Sequence, residues 1–178
     1  REHFEAINHR NAIYYVEDII RKEEPFSEWQ IRNIHQLILK NIDDDNAGRY
    51  RQQNVLISGA TTTPPDYTLL NDKMAQLVDW YNSESHKLHP IERAAKVHAD
   101  FVGIHPFIDG NGRTSRLLMN LELLKAGYPP CVITVENRLA YYEALDQWMA
   151  YGKTEAFIQL ISKAVVEGFK PYQVVLGI

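Results

Sequence analysis

Apolar residues recur along this chain at three- and four-residue intervals almost from end to end. Ile31, Ile34, Leu37 and Ile38 share one helical face, and Ser27-Glu28-Trp29-Gln30 ahead of them reads as a capping box. Leu70, Met74, Leu77, Val78 and Tyr81 form a second stripe, opened by Pro64-Pro65-Asp66, where Asp66 can cap exposed amides. Ile91, Ala94, Ala95, Val97, Phe101 and Val102 form a third, with Pro90 suited to a first turn. Leu117, Leu118, Leu121 and Leu124 line a fourth, which Gly127 should stop. Helical spacing returns at Leu139, Tyr142, Leu145 and Met149 after Asn137, and at Phe157, Ile158, Leu160, Ile161 and Val165 after Thr154. Phe4 to Ile20 predicts one more helix.

Arg49 to Thr63 breaks the pattern. It is rich in β-branched and turn residues, alternates at Val55 and Ile57, and carries Ser58-Gly59 as a tight turn. The expectation is a short β-hairpin on a helical body. With no internal repeat, low-complexity tract or linker, residues 1–178 read as one mostly α domain.

Composition narrows the classes. Nineteen Lys+Arg against 23 Asp+Glu leave a formal charge of −4, which argues against holding nucleic acid by backbone charge. No apolar run approaches the ~20 residues of a membrane span and no signal-peptide pattern appears, so a cytoplasmic setting is the default expectation. The single cysteine, Cys131, excludes an internal disulfide and any Cys-based zinc site, and reads as a small buried residue. The first residue is Arg1, so the expectation is a chain that begins inside a longer polypeptide.

Chemistry concentrates in His105 to Arg116, HPFIDGNGRTSR, a loop leading into the Leu117 helix. Pro106 forbids a smooth helix across the junction, and Gly110 and Gly112 permit unusual backbone conformations. A Gly-Asn-Gly turn at a helix start leaves amides open at the positive end of the dipole, which makes an anion site. Arg113 and Arg116, three apart on the first turn, offer two guanidinium forks for phosphate. Asp109 suits magnesium, which takes one or two protein carboxylates and completes its shell with water and phosphate. His105 is matched to remove a hydroxyl proton near neutral pH.

Each feature alone has a plain reading: a structural histidine, an ordinary turn, a capping Asp, two solvated arginines. No helix-to-helix turn needs all of them together. The other histidines offer no metal spacing: His98 reads as a core histidine, and residues 3, 9, 35, 86 and 89 lack carboxylate or cysteine partners. Asp43-Asp44-Asp45 reads as a solvated loop.

The segment resembles the Fic-family signature of His, any, Phe, any, Asp or Glu, Gly-Asn-Gly-Arg, any two, Arg; eight fixed positions in twelve match. The hairpin segment with Pro64-Pro65, Leu88-His89-Pro90, Ala126 to Pro130 and Tyr141-Tyr142 extend the resemblance over nearly the whole chain. It implies a Fic-type helical bundle with a β-hairpin flap, acting as an AMP transferase that uses ATP and magnesium on a target protein's Ser, Thr or Tyr. His105 would be the general base and Asp109 the magnesium ligand. Amides of Gly110, Asn111 and Gly112 would stabilise developing charge, and Arg113 and Arg116 would take the β- and γ-phosphates. Thr114 and Ser115 fall inside the same phosphate-binding stretch, while Phe107 would pack the loop on the core.

The resemblance further assigns Ile57, Ser58, Gly59 and Ala60 to a flap that clamps the target main chain as an added strand. Tyr141 and Tyr142 would border the adenine, but neighbouring helix residues diverge by about 100°, so at most one faces the base. Met149 departs from an Asn found at that position in some relatives. Transfer of UMP, phosphocholine or phosphate, removal of AMP, and a non-catalytic interaction module are the alternatives, and a homo-oligomer is left open.

An inhibitory helix, Ser or Thr, any three, Glu, then Gly or Asn, commonly pairs its Glu with the motif's second arginine, here Arg116. No position satisfies it: in Ser162 to Gly168, Glu167 comes one residue too late. Arg1 to Asn8 resembles the stretch directly after that helix in one class of the family. The expectation is that the helix lies just upstream of Arg1 and holds the longer protein off.

Overall fold

In the computed structural model residues 1–177 are described, residue 176 by its backbone alone. Seven α-helices form among them: α1 (Glu2–Arg21), α2 (Glu28–Leu39), α3 (Leu70–Glu84), α4 (Pro90–Ile104), α5 (Asn111–Lys125), α6 (Arg138–Tyr151) and α7 (Glu155–Leu176). Each predicted stripe becomes one helix. Ser27 caps α2 by accepting from the Gln30 amide at 3.4 Å, but the capping box is only half made, because the Gln30 side chain donates to Glu24 instead. Asp66 accepts from the Thr68 amide and starts a short 3₁₀ turn, Tyr67–Leu69, ahead of α3. Pro90 stands in the first turn of α4, and Gly127, at φ +80°, follows α5.

Two apolar cores divide the molecule. One joins α1, α2 and α3 to one side of α4 and α5 through Ile31, Ile34, Met74, Phe101 and Leu118. The other joins α6 and α7 to the opposite side through Ala95, Met119, Leu145, Phe157 and Ile161. Helices α4 and α5 are therefore buried on two faces, and burial of that kind is the main stabilising contribution to a helical fold. The turn that joins them is fixed from both sides.

The predicted hairpin does not form. No strand occurs among the described residues, and Arg49 to Thr63 is an irregular loop. Its backbone makes one tight turn of its own, Ala60 N to Ile57 O, and two bonds to residues outside it, Arg49 N to Asn46 O and Arg51 N to Pro106 O. The β-branched residues lack a partner ladder, and side chains take some of the backbone groups in and beside the segment, Arg51 the Gln53 carbonyl among them. Asn54 accepts from the Tyr67 amide and donates to Asp66, and Asp146 accepts from the Thr61 amide. Such bonds compete with strand pairing, and an isolated two-stranded ribbon is marginal in water.

Candidate active site

The α4–α5 turn is held by the motif's own Phe107 and Asn111 together with His35 and Arg51, which the sequence does not single out. His105 ends α4 in the left-handed region, φ 49° and ψ 58°, with its amide on Phe101 O. Pro106 disfavours right-handed helix at the residue before it, and the chain turns here. Phe107 is fully buried and stacks on His35, ring centroids 3.5 Å apart. Asn111 is a brace: its carboxamide accepts from Phe107 N at 3.0 Å and donates to Phe107 O at 2.8 Å.

His35 supports the next residue. Its Nδ1 accepts from the Gly48 amide at 2.9 Å, so the ring proton sits on Nε2, which donates to Asp109 O at 2.9 Å. Burial pushes its pKa down to about 4, and the ring is neutral at pH 7. Gly110, at φ +79°, lies so close that a Cβ there would meet His35 Nε2 at 3.1 Å. Only glycine meets both demands.

His105 Nδ1 lies 3.3 Å from Val102 O, which can only accept, so Nε2 keeps its lone pair. Burial lowers the His105 pKa below its ordinary value, and the Arg51 cation lowers it further, against the Val102 bond. A neutral, oriented imidazole is what a general base requires.

Thr114 N on Gly110 O at 2.9 Å is the first bond of the α5 ladder, which leaves the amides of Asn111, Gly112 and Arg113 without intrahelical partners. Arg116 borders the adjoining cleft and makes no ion pair with a carboxylate among the described residues. Arg113 is engaged: it approaches Glu5 at 3.6 Å and Asp109 at 3.4 Å. Thr114 and Ser115 are fully buried, Ser115 donating to Gly112 O, so their side chains belong to the core rather than to a phosphate.

Asp109 Oδ1 accepts from the Gly110 amide at 2.6 Å, and Oδ2 pairs with Arg1 at 2.7 Å. Burial would raise its pKa, but that amide, Arg113 and Arg1 outweigh it and hold the carboxyl below its ordinary value. No group of three or more His, Cys, Asp or Glu side chains gathers as a metal site among the described residues. One half-exposed carboxylate fits only an ion that keeps most of its shell as water and phosphate, and magnesium is such an ion.

The three predicted regions meet in one cleft of about 530 Å³. His105, Gly112 and Arg116 form one side, Ile57, Ser58, Gly59 and Ala60 another, and Tyr141, Tyr142, Asp146 and Met149 of α6 the third. The tyrosines split as helix geometry requires. Tyr141 is buried, with its hydroxyl 2.7 Å from Nε2 of the core histidine His98, and Tyr142 is half exposed at the cleft mouth. Asp146 ties the loop to α6, accepting from Thr61 N at 2.7 Å and Thr61 Oγ1 at 2.6 Å. Asp146, His35 and Arg51 carry no motif; only their contacts mark them.

A sequence profile of the Fic/DOC family matches residues 25–123. The chain is 38% identical over 166 residues to "Protein adenylyltransferase fic-1" of Caenorhabditis briggsae, an alignment spanning 92% of this chain and 32% of that protein. It is 39% identical over 173 residues to "Protein adenylyltransferase Fic" of Nematostella vectensis, spanning 96% of this chain and 40% of that one. Its fold is similar to that of a Fic-1 fragment from C. elegans, with TM-score 0.89 and 34% identity, covering 99% of this chain and 52% of the fragment. The chain thus spans about a third of the length of the curated relatives it matches.

Proposed function

Because the chain belongs to the Fic/DOC family, we propose that it is an AMP transferase that moves AMP from ATP onto a Ser, Thr or Tyr hydroxyl of a target protein. The observation that carries this reading is the single cleft joining His105 and Arg116 to the Tyr141–Tyr142 wall and to residues 57–60. The relatives' name, protein adenylyltransferase, supports AMP as the group moved.

His105 Nε2 takes the proton of the target hydroxyl. The hydroxyl oxygen bonds to the α-phosphorus while the bond from that phosphorus to the bridging oxygen breaks, and pyrophosphate leaves. Arg116 and the open amides at the start of α5 hold the negative charge that develops. Arg113 joins them by exchanging its pairs with Glu5 and Asp109. Asp109 would hold magnesium, which when bound neutralises phosphate charge. The backbone of 52–60 makes little secondary structure of its own, which suits it to accept a target main chain alongside.

The test uses ATP labelled at the α-phosphate, candidate target proteins, and His105→Ala. Label on protein should fall by about 10²–10⁴-fold in the variant, the usual contribution of a general base, with nucleotide binding kept. Nucleotide binding by the parent without any transfer would overturn the reading and favour an interaction module.

A further inference from the structure

Arg51 is a buried cation to which the reaction above gives no part. It is 3% exposed, and among the described residues no carboxylate makes an ion pair with it, Asp66 acting on it only through space. Burying an unpaired charge is costly unless its donors are met, and here they are met by carbonyls alone. Nε donates to His105 O at 2.9 Å, Nη1 to Gln53 O at 2.8 Å and Nη2 to Pro65 O at 2.6 Å. Its own amide donates to Pro106 O at 2.9 Å. The acceptors fall in two places: the backbone of the α4–α5 turn at residues 105–106, and the two ends of the 49–63 loop, at Gln53 near its start and at Pro65 just past its end.

We propose that Arg51 is a positioning residue for His105, joining the carbonyl of the base to both ends of the loop that borders the target, so that ordering the loop and aligning the imidazole are one event. The planar guanidinium suits this task, because three donors in a rigid fork fix three carbonyls relative to one another. A lysine keeps the charge but cannot reproduce the fork. The left-handed conformation of His105 gives the tie its purpose, since that conformation is uncommon for a non-glycine residue and gains from a partner that holds it. Charge acts in the same direction: the Arg51 cation favours the neutral ring, while Arg116 lines the same side of the cleft and Glu143 and Asp146 of α6 face it with opposite sign.

This inference rests on His105 as the base, but two of its readouts need no transfer. Arg51→Lys and Arg51→Gln are compared with the parent by thermal melting, amide hydrogen exchange, NMR titration of the His105 ring, and AMP transfer. In the folded variants exchange should rise together in residues 52–65 and 101–107 and stay unchanged in α6. The His105 midpoint should rise in Arg51→Gln and stay near the parent value in Arg51→Lys. The turnover number should fall by about tenfold or more, the scale of a small misplacement of a catalytic group, with the KM for ATP within about twofold. Faster exchange in the loop alone, or an unmoved His105 midpoint in Arg51→Gln, overturns the proposal. So does loss of the whole fold in both variants, which would make Arg51 a residue of general stability. If transfer is absent from the parent while the exchange and titration results hold, the proposed function fails and the tie stands.

Discussion

The α4–α5 turn and the 49–63 loop face each other across one cleft, and they keep their shapes by opposite means. In the turn many of the polar backbone groups ahead of the open α5 amides have a fixed partner: Asn111 holds both ends of Phe107, His35 holds Asp109, and Asp109 holds Gly110. Beneath it lies a buried aromatic stack. The loop is fastened near its ends, by Arg51 and by the Thr61–Asp146 bonds, and between them Ser58 and Gly59 are exposed. On the proposed function, the difference matches what each would do. A group that handles a developing charge gains from being preorganised, whereas a segment that receives another chain must leave its backbone available.

The sharpest break of this contrast is Gly110→Ala. A methyl group at φ +79° would sit 3.1 Å from His35 Nε2, on a ring held at both nitrogens. The left-handed strain alone costs about 1–2 kcal/mol, and displacement of Asp109 and the α5 amides should lower transfer by about 10²-fold. Unchanged kinetics in that variant would mean the turn is as tolerant as the loop.

Acid should loosen the turn and its core before it affects the loop. His35 and His98 are buried neutral, with burial lowering their pKa values to about 4 and about 3. Their unfolded values lie near 6.5, so below that pH the unfolded chain binds protons that the folded one refuses. Their contribution is fully present above about pH 6.5 and is lost as pH falls from there toward 4, about 3 kcal/mol from His35 alone. Denaturant melts from pH 7 to pH 4 should report it, and His35→Gln should flatten the slope. For activity the sign is the same: transfer should hold steady above the ordinary histidine range and decline only on its acid side, because His105 must be neutral.

A smaller effect is expected at the latch. Asp146→Asn removes the carboxylate that meets both Thr61 donors and should raise proteolytic cutting within 57–63 by about fivefold, the scale of one ordinary hydrogen bond lost. The KM for the target should rise while the melting temperature stays within a few degrees. If cutting is unchanged, the loop is held by Arg51 alone. The least effect belongs to Leu56→Ser. Leu56 is 80% exposed, and such surface changes stay within about 0.5 kcal/mol. A stability loss above that would mean the loop is packed more tightly than its exposure says.

The sequence by itself determined what depends on neighbours along the chain. Helix faces are read from three- and four-residue spacing, caps from Ser27, Asp66 and Pro90, and the candidate anion-binding turn from glycines and arginines within twelve residues of one another, because those interactions are local. Tertiary structure decided everything that needed a partner from afar. It denied strands to residues 49–63, since a strand exists only with a ladder to pair with, and Asn54, Thr61 and Arg51 found other partners. It buried Tyr141 and left Tyr142 at the mouth, turned Thr114 and Ser115 into the core, left Arg116 open at the cleft and set Arg113 against Glu5. It also gave work to His35, Arg51 and Asp146, whose partners stand 74, 54 and 85 positions away in the chain, a separation across which no periodicity carries a signal.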